Sequence, residues 1–378
     1  MDRPNVVFAI TGDVRRNSRA LRQIRALVGL GFRIHVLSVG AAGPGSLEIP
    51  NTSLHALSPP AGSGPRHFGQ VHMLTRAAAV QVPAAIYHAS DLYVLPALRM
   101  AAERHHGRLV YDARELYPYV AATIGRPWVR VFWRTIERWG IKQADLVLTV
   151  SEGIAEKLTD AYDIARPTVL YNVPDDSAPS LRRSLRVATG LPSGEAVILH
   201  QGQMRPDRGC ELLVDAMRDV EGAILVFLGD GPLKTRLQEQ AAASQIAGLV
   251  RFADPVPPDE LLAYTASADV GVTLLEDTCL NHQLALPNKL FEYLAAGVPV
   301  IASDLPEIRG VVRFYDVGLL VHPGHRADLV AALTQAVLDK TLRERWRRNI
   351  PRALETFSWA KASEQFLQAY RNLLAQPP

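Results

Sequence analysis

The chain has 378 residues, of which 48% are apolar and 21% charged, with a net charge of +3. That length suits two domains of ordinary size, and the balance is that of a soluble globular protein. Two cysteines, Cys210 and Cys279, exclude a disulfide framework or a cysteine metal cluster, and no apolar run nears the roughly 18 residues that span a membrane.

The N-terminus runs straight into a strand-like run, Asn5 to Thr11, with no charged-then-apolar signal layout, so a cytoplasmic protein is expected. Gly12-Asp13 breaks that run. Helical spacing follows from about Ser18 to Leu30, then a second strand from Phe32 to Val39, which makes a βαβ opening. Further apolar runs at Ala85–His88, Leu109–Tyr111, Leu146–Val150 and Thr168–Tyr171 predict a parallel sheet covered by helices. Turn formers dominate residues 172–195, among them Pro174-Asp175-Asp176-Ser177 and Gly190-Leu191-Pro192-Ser193-Gly194, and the domain boundary is placed at 175/176. A second βα series occupies 176–355, with strands at Ala196–His200, Ala223–Leu228, Leu249–Phe252, Val270–Leu275, Val298–Ala302 and Val317–Val321. Its helices are expected to start near Arg208, Pro232, Pro258, Asn288 and Arg326. Residues 356–378 read as an amphipathic helix with Ser358 as N-cap. Phe366, Tyr370, Leu373 and Leu374 share one side, suited to docking back on the first domain.

Charge is uneven along this chain. Residues 1–172 hold 20 Lys+Arg against 13 Asp+Glu, and the remainder 21 against 25. A basic first half suits anionic lipid, a phosphorylated acceptor or nucleic acid, with ordinary surface arginine as the plain alternative. Arg126, Arg130, Arg134 and Arg138 recur every four residues, so they form one helical stripe beside Trp128, Phe132, Trp133 and Trp139. Such a helix can lie on an anionic membrane surface. The reading favoured here is a solvated arginine face with the tryptophans in the core.

The most informative segment is Leu286 to Ser303. Pro287 precedes an N-cap candidate, Asn288; Leu290, Phe291, Leu294 and Ala295 share a face; Gly297 stops the helix and Pro299 bars its continuation. A helix start suits a phosphate, and Glu292, one turn in, suits a sugar hydroxyl. Gly202 to Gly209, with Arg205 and Arg208, follows a strand and opens a helix, as a phosphate loop would. Gly229-Asp230-Gly231-Pro232 reads as a tight turn with Pro232 at the first helical position, its glycines also keeping a ligand's surroundings open. His88, Asp91, Asp112, Arg114 and Glu115 stand at strand C-ends, where ligands bind in open α/β sheets. A single glycine at Gly12 argues against a dinucleotide fingerprint, and there is neither a P-loop nor a zinc-protease motif.

Together these features resemble the GT-B glycosyltransferases of the retaining family four, or group one, over essentially the whole chain. PNKLFEYLAAGVPVIASDLPEI carries most of the likeness, with HQGQMRPDRGCELLVDAM, VFLGDGP, RFADPVPPDELLAYTASADVGVTL, the terminal FSW helix, GDVRRNSRALRQIRALVGLGFRIHVLS and VYDARELYP. The resemblance implies two Rossmann-like doubly wound α/β domains facing a cleft, the first binding the acceptor and the second a nucleotide-sugar. It implies Glu292 on the donor ribose, Arg208 on the diphosphate and Asp254 to Val256 near the base. Gly12, Arg205, Gly229, Pro287, Asn288 and Lys289 fall around the donor. Arg15, His88, Asp91 and Asp112 fall on the acceptor side, and Arg114, Glu115, Arg208 and Glu292 are the candidate catalytic set. The family's second acid is replaced by Leu284, with His282 or Asn281 as substitutes. Its arginine after the loop glycine is Gln203, and its histidine is Arg114, which donates hydrogen bonds but is no base.

The implied reaction is metal-independent transfer with retention from a UDP- or GDP-sugar to a glycan, lipid-linked or small-molecule acceptor, with no cofactor and no nucleic-acid partner. There is no Asp-x-Asp pair to hold a metal ion. A nucleotide-sugar epimerase or hydrolase of the same fold, and a non-catalytic sugar-binding protein, are the alternatives.

Overall fold

The computed structural model describes residues 3–41, 43, 45–59, 61–62, 64–175, 185–191 and 194–375. The chain forms two units: Met1–Tyr171 with Ala362–Pro378, and Asn172–Lys361. The expected boundary at 175/176 abuts residues 176–184, which lie outside the described residues, as do Pro192 and Ser193. The change of unit falls earlier, at Tyr171/Asn172.

The first unit is built on β1 (Asn5–Thr11), β2 (Arg33–Val39), β3 (Thr52–Leu57), β4 (Ile86–Ala89), β5 (Arg108–Ala113), β6 (Leu146–Thr149) and β7 (Thr168–Val169). They run parallel in the order β3-β2-β1-β4-β5-β6-β7. Val6 to Ile10 are wholly buried because helices cover both faces of the sheet. Strand β3 leaves no mark in the hydrophobic pattern: it is a half-exposed edge strand of mixed polarity, without the apolar run that marks its neighbours. Strand β7 is two residues long, shorter than the run 168–171 suggested. Helix Trp359–Ala375 buries Phe366, Tyr370 and Leu373, whereas Leu374 is exposed.

The second unit is built on β8 (Ala196–Gln201), β9 (Ala223–Leu228), β10 (Val250–Ala253), β11 (Val270–Thr273), β12 (Val300–Ser303) and β13 (Gly318–Val321). All pairs are parallel in the order β10-β9-β8-β11-β12-β13. Three helices start two or three residues later than expected, as Cys210–Ala216, Lys234–Ala243 and Leu261–Thr265. The delay has a local cause at each of the first two. Gly209 takes φ +63° before the first, and Pro232-Leu233 forms a tight turn closed by Lys234 N–H to the Gly231 carbonyl at 3.1 Å.

In each sheet the strand order reverses once, between β1 and β4 and between β8 and β11. The C-terminal strand ends at such a point form a crevice, and the polar residues of interest gather there.

Helix Pro127–Ile141 carries the arginine stripe, and here the expectation of core tryptophans fails. Trp128 is 69% exposed, Val131 62% and Trp139 43%. Trp133 is half-buried against Phe68, Tyr93 and Phe132. The helix instead anchors through Glu137, fully buried, whose two oxygens accept hydrogen bonds from Tyr111 and Tyr162 at 2.7 Å each. Burial outweighs those bonds and raises the Glu137 pKa to about 7.

Candidate functional site

The second unit's crevice is organised by helix Asn288–Ala295. Pro287 is extended (φ −68°, ψ 137°) and occupies the cap position, so Asn288 is the first helical residue and not the cap. Its Oδ1 accepts instead from Asn172 Nδ2 at 2.7 Å. The helix is seated by Leu290, Phe291, Tyr293 and Leu294, all buried. Tyr293 lies so close over β11 that a Cβ on Gly271 would come within 2.4 Å of its ring. The Tyr293 hydroxyl donates to the Leu199 carbonyl at 2.9 Å and accepts from the Gln201 N–H at 3.1 Å.

That seating brings Glu292, half-buried, to the end of β8, where its Oε2 accepts from Gln201 Nε2 at 2.6 Å. One turn earlier Lys289 sends Nζ to within 3.2 Å of His200 Nε2, and Cys210 Sγ lies 3.6 Å from the same nitrogen. Burial lowers the Lys289 pKa to about 8. Burial, followed by the Lys289 charge, pushes His200 well below the usual histidine range, so it is a neutral acceptor. Burial also raises the Cys210 thiol to about 11, leaving it protonated.

The loop after β8 supplies the remaining charge. Arg208 is half-buried and its charge acts on Lys289, His200 and His282. Arg205 is exposed and turns to the Gln203 amide oxygen at 3.3 Å. His282 is buried, with Nδ1 2.9 Å from the Glu276 carbonyl and 3.0 Å from Thr278 Oγ. A carbonyl accepts only, so Nδ1 carries the proton and Nε2 the lone pair. Leu284 follows at the end of the short helix Leu280–Gln283. Val256, half-buried, sits in the loop after edge strand β10, beside Asp254, which pairs with Lys234 Nζ at 2.9 Å.

The glycines of the turn after β9 are required by the tight turn itself. A Cβ on Gly229 would lie 2.1 Å from the Gly202 carbonyl oxygen, and one on Gly231 2.3 Å from that of Met204. Backbone bonds tie the two turns together: Gly202 N–H to Leu228 O, Met204 N–H to Asp230 O and Leu233 N–H to Met204 O, at 2.8 to 3.1 Å. Loop packing therefore requires both glycines.

In the first unit the strand-end polar groups meet one another. Asp112 is fully buried and receives Arg19 on both oxygens, at 2.9 and 2.8 Å, and Gln23 Nε2 at 2.9 Å. Burial would raise its pKa, but the Arg19 guanidinium prevails and holds it at about 2. His88 is fully buried, stacked on Phe8 and hydrogen-bonded through Nδ1 to the Tyr370 hydroxyl at 2.5 Å. Burial lowers its pKa to about 4. Asp91, 1% exposed, accepts from the Thr11 N–H and hydroxyl, both at 2.8 Å, and from the N–H groups of Tyr93 and Val94. These three side chains, expected on the acceptor side, are committed to framework contacts. Gly12 takes φ +89° beside them, with its carbonyl bonded to Ser38. Arg15 pairs with Asp13 at 2.7 Å, Arg114 reaches Asp91 at 3.7 Å, and Glu115 is exposed.

Sequence reasoning missed Gln201 and Thr265. The one signal available was a polar residue ending the otherwise apolar strand β8.

The family described as "Glycosyl transferases group 1" matches residues 182–353, and that described as "Glycosyl transferase 4-like domain" matches 17–172. A relative named D-inositol 3-phosphate glycosyltransferase, from a Nocardioides species, is 26% identical over 259 residues, covering 62% of this chain and 55% of its own. The chain thus spans about half the length of that relative. Among solved structures, sucrose-phosphate synthase from Thermosynechococcus elongatus superimposes with a TM-score of 0.82 at 18% identity, covering 99% of this chain and 100% of its own. HepE from Anabaena, solved with UDP and glucose, gives 0.76 at 16% identity, covering 98% and 100%.

Proposed function

Because this chain belongs to the group 1, or family four, glycosyltransferases, we propose that it moves a sugar, with retention, from a UDP- or GDP-sugar to a glycan, lipid-linked or small-molecule acceptor. The observation that carries the reading is the gathering of Glu292, Lys289 and Arg208 at the β8/β11 reversal, one carboxylate among cations. In this reading Glu292 takes the ribose hydroxyls, and Arg208, Lys289 and the start of helix Asn288–Ala295 take the diphosphate. The UDP and glucose held by the Anabaena structure support a uridine donor, and the inositol phosphate enzyme's name supports a hydroxylated, anionic acceptor.

The bond from the anomeric carbon to the diphosphate breaks with its electron pair leaving on phosphate. The acceptor oxygen then bonds to that carbon on the same face, and its proton passes to the departing phosphate oxygen. The protein's task is to stabilise the oxocarbenium-like state and the developing phosphate charge. Arg208 and Lys289 do so as fixed cations. His282 Nε2, a lone-pair acceptor, addresses a sugar hydroxyl in place of the acid that Leu284 displaces. Arg114 and Glu115 face the acceptor. The reading uses no metal ion and no cofactor.

A thermal-shift screen with UDP-, GDP-, ADP- and TDP-sugars tests the proposal. One uridine or guanosine sugar should raise Tm by several degrees, and Glu292→Ala should markedly reduce the rise. No shift with any sugar, or an equal shift in the variant, rejects it.

The reading extends to a cytoplasmic protein resting on an anionic membrane through helix Pro127–Ile141. Arg126, Arg130, Arg134 and Arg138 are exposed beside Trp128 and Val131, and the one acid between 126 and 142, Glu137, is buried. Among the described residues no helix is long and apolar enough to cross a membrane. Flotation with phosphatidylglycerol liposomes should recover wild type and lose a variant without the Arg130, Arg134 and Arg138 charges. Equal recovery makes the stripe plain surface.

A further inference from the structure

We infer that Gln201 is a positioning residue for the nucleotide, fixing the Glu292 carboxylate through an amide that the Thr265 hydroxyl braces in turn. The inference rests on the reading of Glu292 as a nucleotide ligand.

Three hydrogen bonds define the device. Gln201 is 1% exposed and Thr265 wholly buried. The Gln201 backbone N–H is held by the Tyr293 hydroxyl at 3.1 Å, Nε2 donates to Glu292 Oε2 at 2.6 Å, and Oε1 accepts from Thr265 Oγ at 2.7 Å. Gln201 thus meets two consecutive residues of helix Asn288–Ala295, one through its backbone and one through its side chain.

The chemistry permits one arrangement. An ionised carboxylate only accepts, so the amide must present its NH2 group to Glu292. The amide oxygen then faces Thr265, whose single proton has two acceptors within reach, Gln201 Oε1 and the Leu261 carbonyl at 2.8 Å. Directed to Gln201, it completes the chain and locks the amide. Turned over, the amide would set its oxygen 2.6 Å from a carboxylate oxygen, which is repulsive unless a proton lies between them. An ionised Glu292 therefore sets the amide's orientation, and the Thr265 hydroxyl, donating to Oε1, braces it at one angle. The hydroxyl belongs to helix Leu261–Thr265, which follows the loop carrying Val256. The segment read as lying near the base is thereby joined to the carboxylate read as holding the ribose.

Gln201→Glu is the sharpest test, because it replaces one NH2 by oxygen and leaves the shape unchanged. At low pH the new carboxyl carries a proton and donates to Glu292 as the amide does. At higher pH both groups ionise, repel one another, and Glu292 is displaced. Lys289 and Tyr293 lie within the electrostatic reach of Glu292 and are common to both proteins, as is the nucleotide's own phosphate. The measurement is therefore the ratio of variant to wild-type Kd for UDP and for GDP by calorimetry, from pH 5.5 to 8.5. The ratio should rise with pH, from within a few-fold of unity to roughly tenfold or more. Thr265→Val, almost isosteric, should weaken binding roughly threefold in the wild-type background and add nothing in a Gln201→Met background. That variant also keeps the test open should the Gln201 variants fail to fold.

A ratio independent of pH, or a Thr265→Val effect that persists in the Gln201→Met background, overturns the inference. Glu292→Ala is the control that separates the two readings. If it loses nucleotide binding while Gln201→Met keeps it, the positioning role falls alone. If Glu292→Ala binds as wild type does, the nucleotide reading falls and the inference with it.

Discussion

The two strand-order reversals share an architecture and differ in how their charges are used. At β1/β4, Asp112 is enclosed by Arg19 and Gln23, Asp91 by three backbone N–H groups and a hydroxyl, and His88 by Tyr370 and Phe8. At β8/β11, Glu292, Lys289 and Arg208 are only half-buried, and the Lys289 pKa is lowered first by burial and then by the Arg208 charge. A folded chain keeps like charges together where something else is to neutralise them. The carboxylates of the first crevice are paired within the framework, and the charges of the second are those the proposed function assigns to an anion.

The comparison would break first at Asp112. Asp112→Ala leaves the Arg19 guanidinium buried without its carboxylate, and unfolding by urea should show a loss of about 3–5 kcal/mol. Its pH signature has a fixed sign. The folded pKa of about 2 lies below the unfolded value, so the stabilisation is full above the unfolded pKa of ~3.9 and vanishes as pH falls through 2. An unchanged midpoint would make that crevice no framework at all.

Glu137 should behave oppositely. Its folded pKa of about 7 lies above the unfolded one, so stability falls as pH rises from ~4.3 to 7 and is flat beyond, with an amplitude on the order of 3 kcal/mol. Urea midpoints of wild type and Glu137→Gln across that range should diverge, the variant losing the slope.

The second crevice should respond more in binding than in stability. Glu292→Ala should weaken UDP or GDP binding by about 10- to 100-fold, the worth of hydrogen bonds to a charged group, while its urea midpoint falls by less than that of Asp112→Ala. A large fall in stability would place Glu292 with the framework residues. The smallest effect is expected for Tyr370→Phe, which removes the His88 bond and should cost about 1 kcal/mol in urea, leaving nucleotide affinity untouched.

Much of this was legible in the sequence because it is local. Helix Asn288–Ala295, its glycine stop and strand β12 lie in one continuous segment, and the apolar runs of both sheets declare themselves. The family likeness supplied Glu292 and Arg208. What escaped is non-local or depends on depth. Gln201 meets Thr265 and Glu292 across 64 and 91 residues, and no spacing rule links positions so far apart. Asp112 and His88 stand at strand ends in the sequence just as a ligand-binding group would, and only burial shows that they are enclosed. General hydrophobicity directs the tryptophans of helix Pro127–Ile141 inward, yet Trp128 and Trp139 are exposed. The helix instead turns a carboxylate inward, because two tyrosine hydroxyls wait there to satisfy it.

The interlock between the turns after β8 and β9 has a consequence for how such a protein can change. With carbonyl oxygens of one turn filling the space that side chains of the other would need, neither can be redrawn alone. A chimera that imports the 202–209 loop from a relative should fold only when the 229–233 turn travels with it, so the two are best regarded as a single module of inheritance.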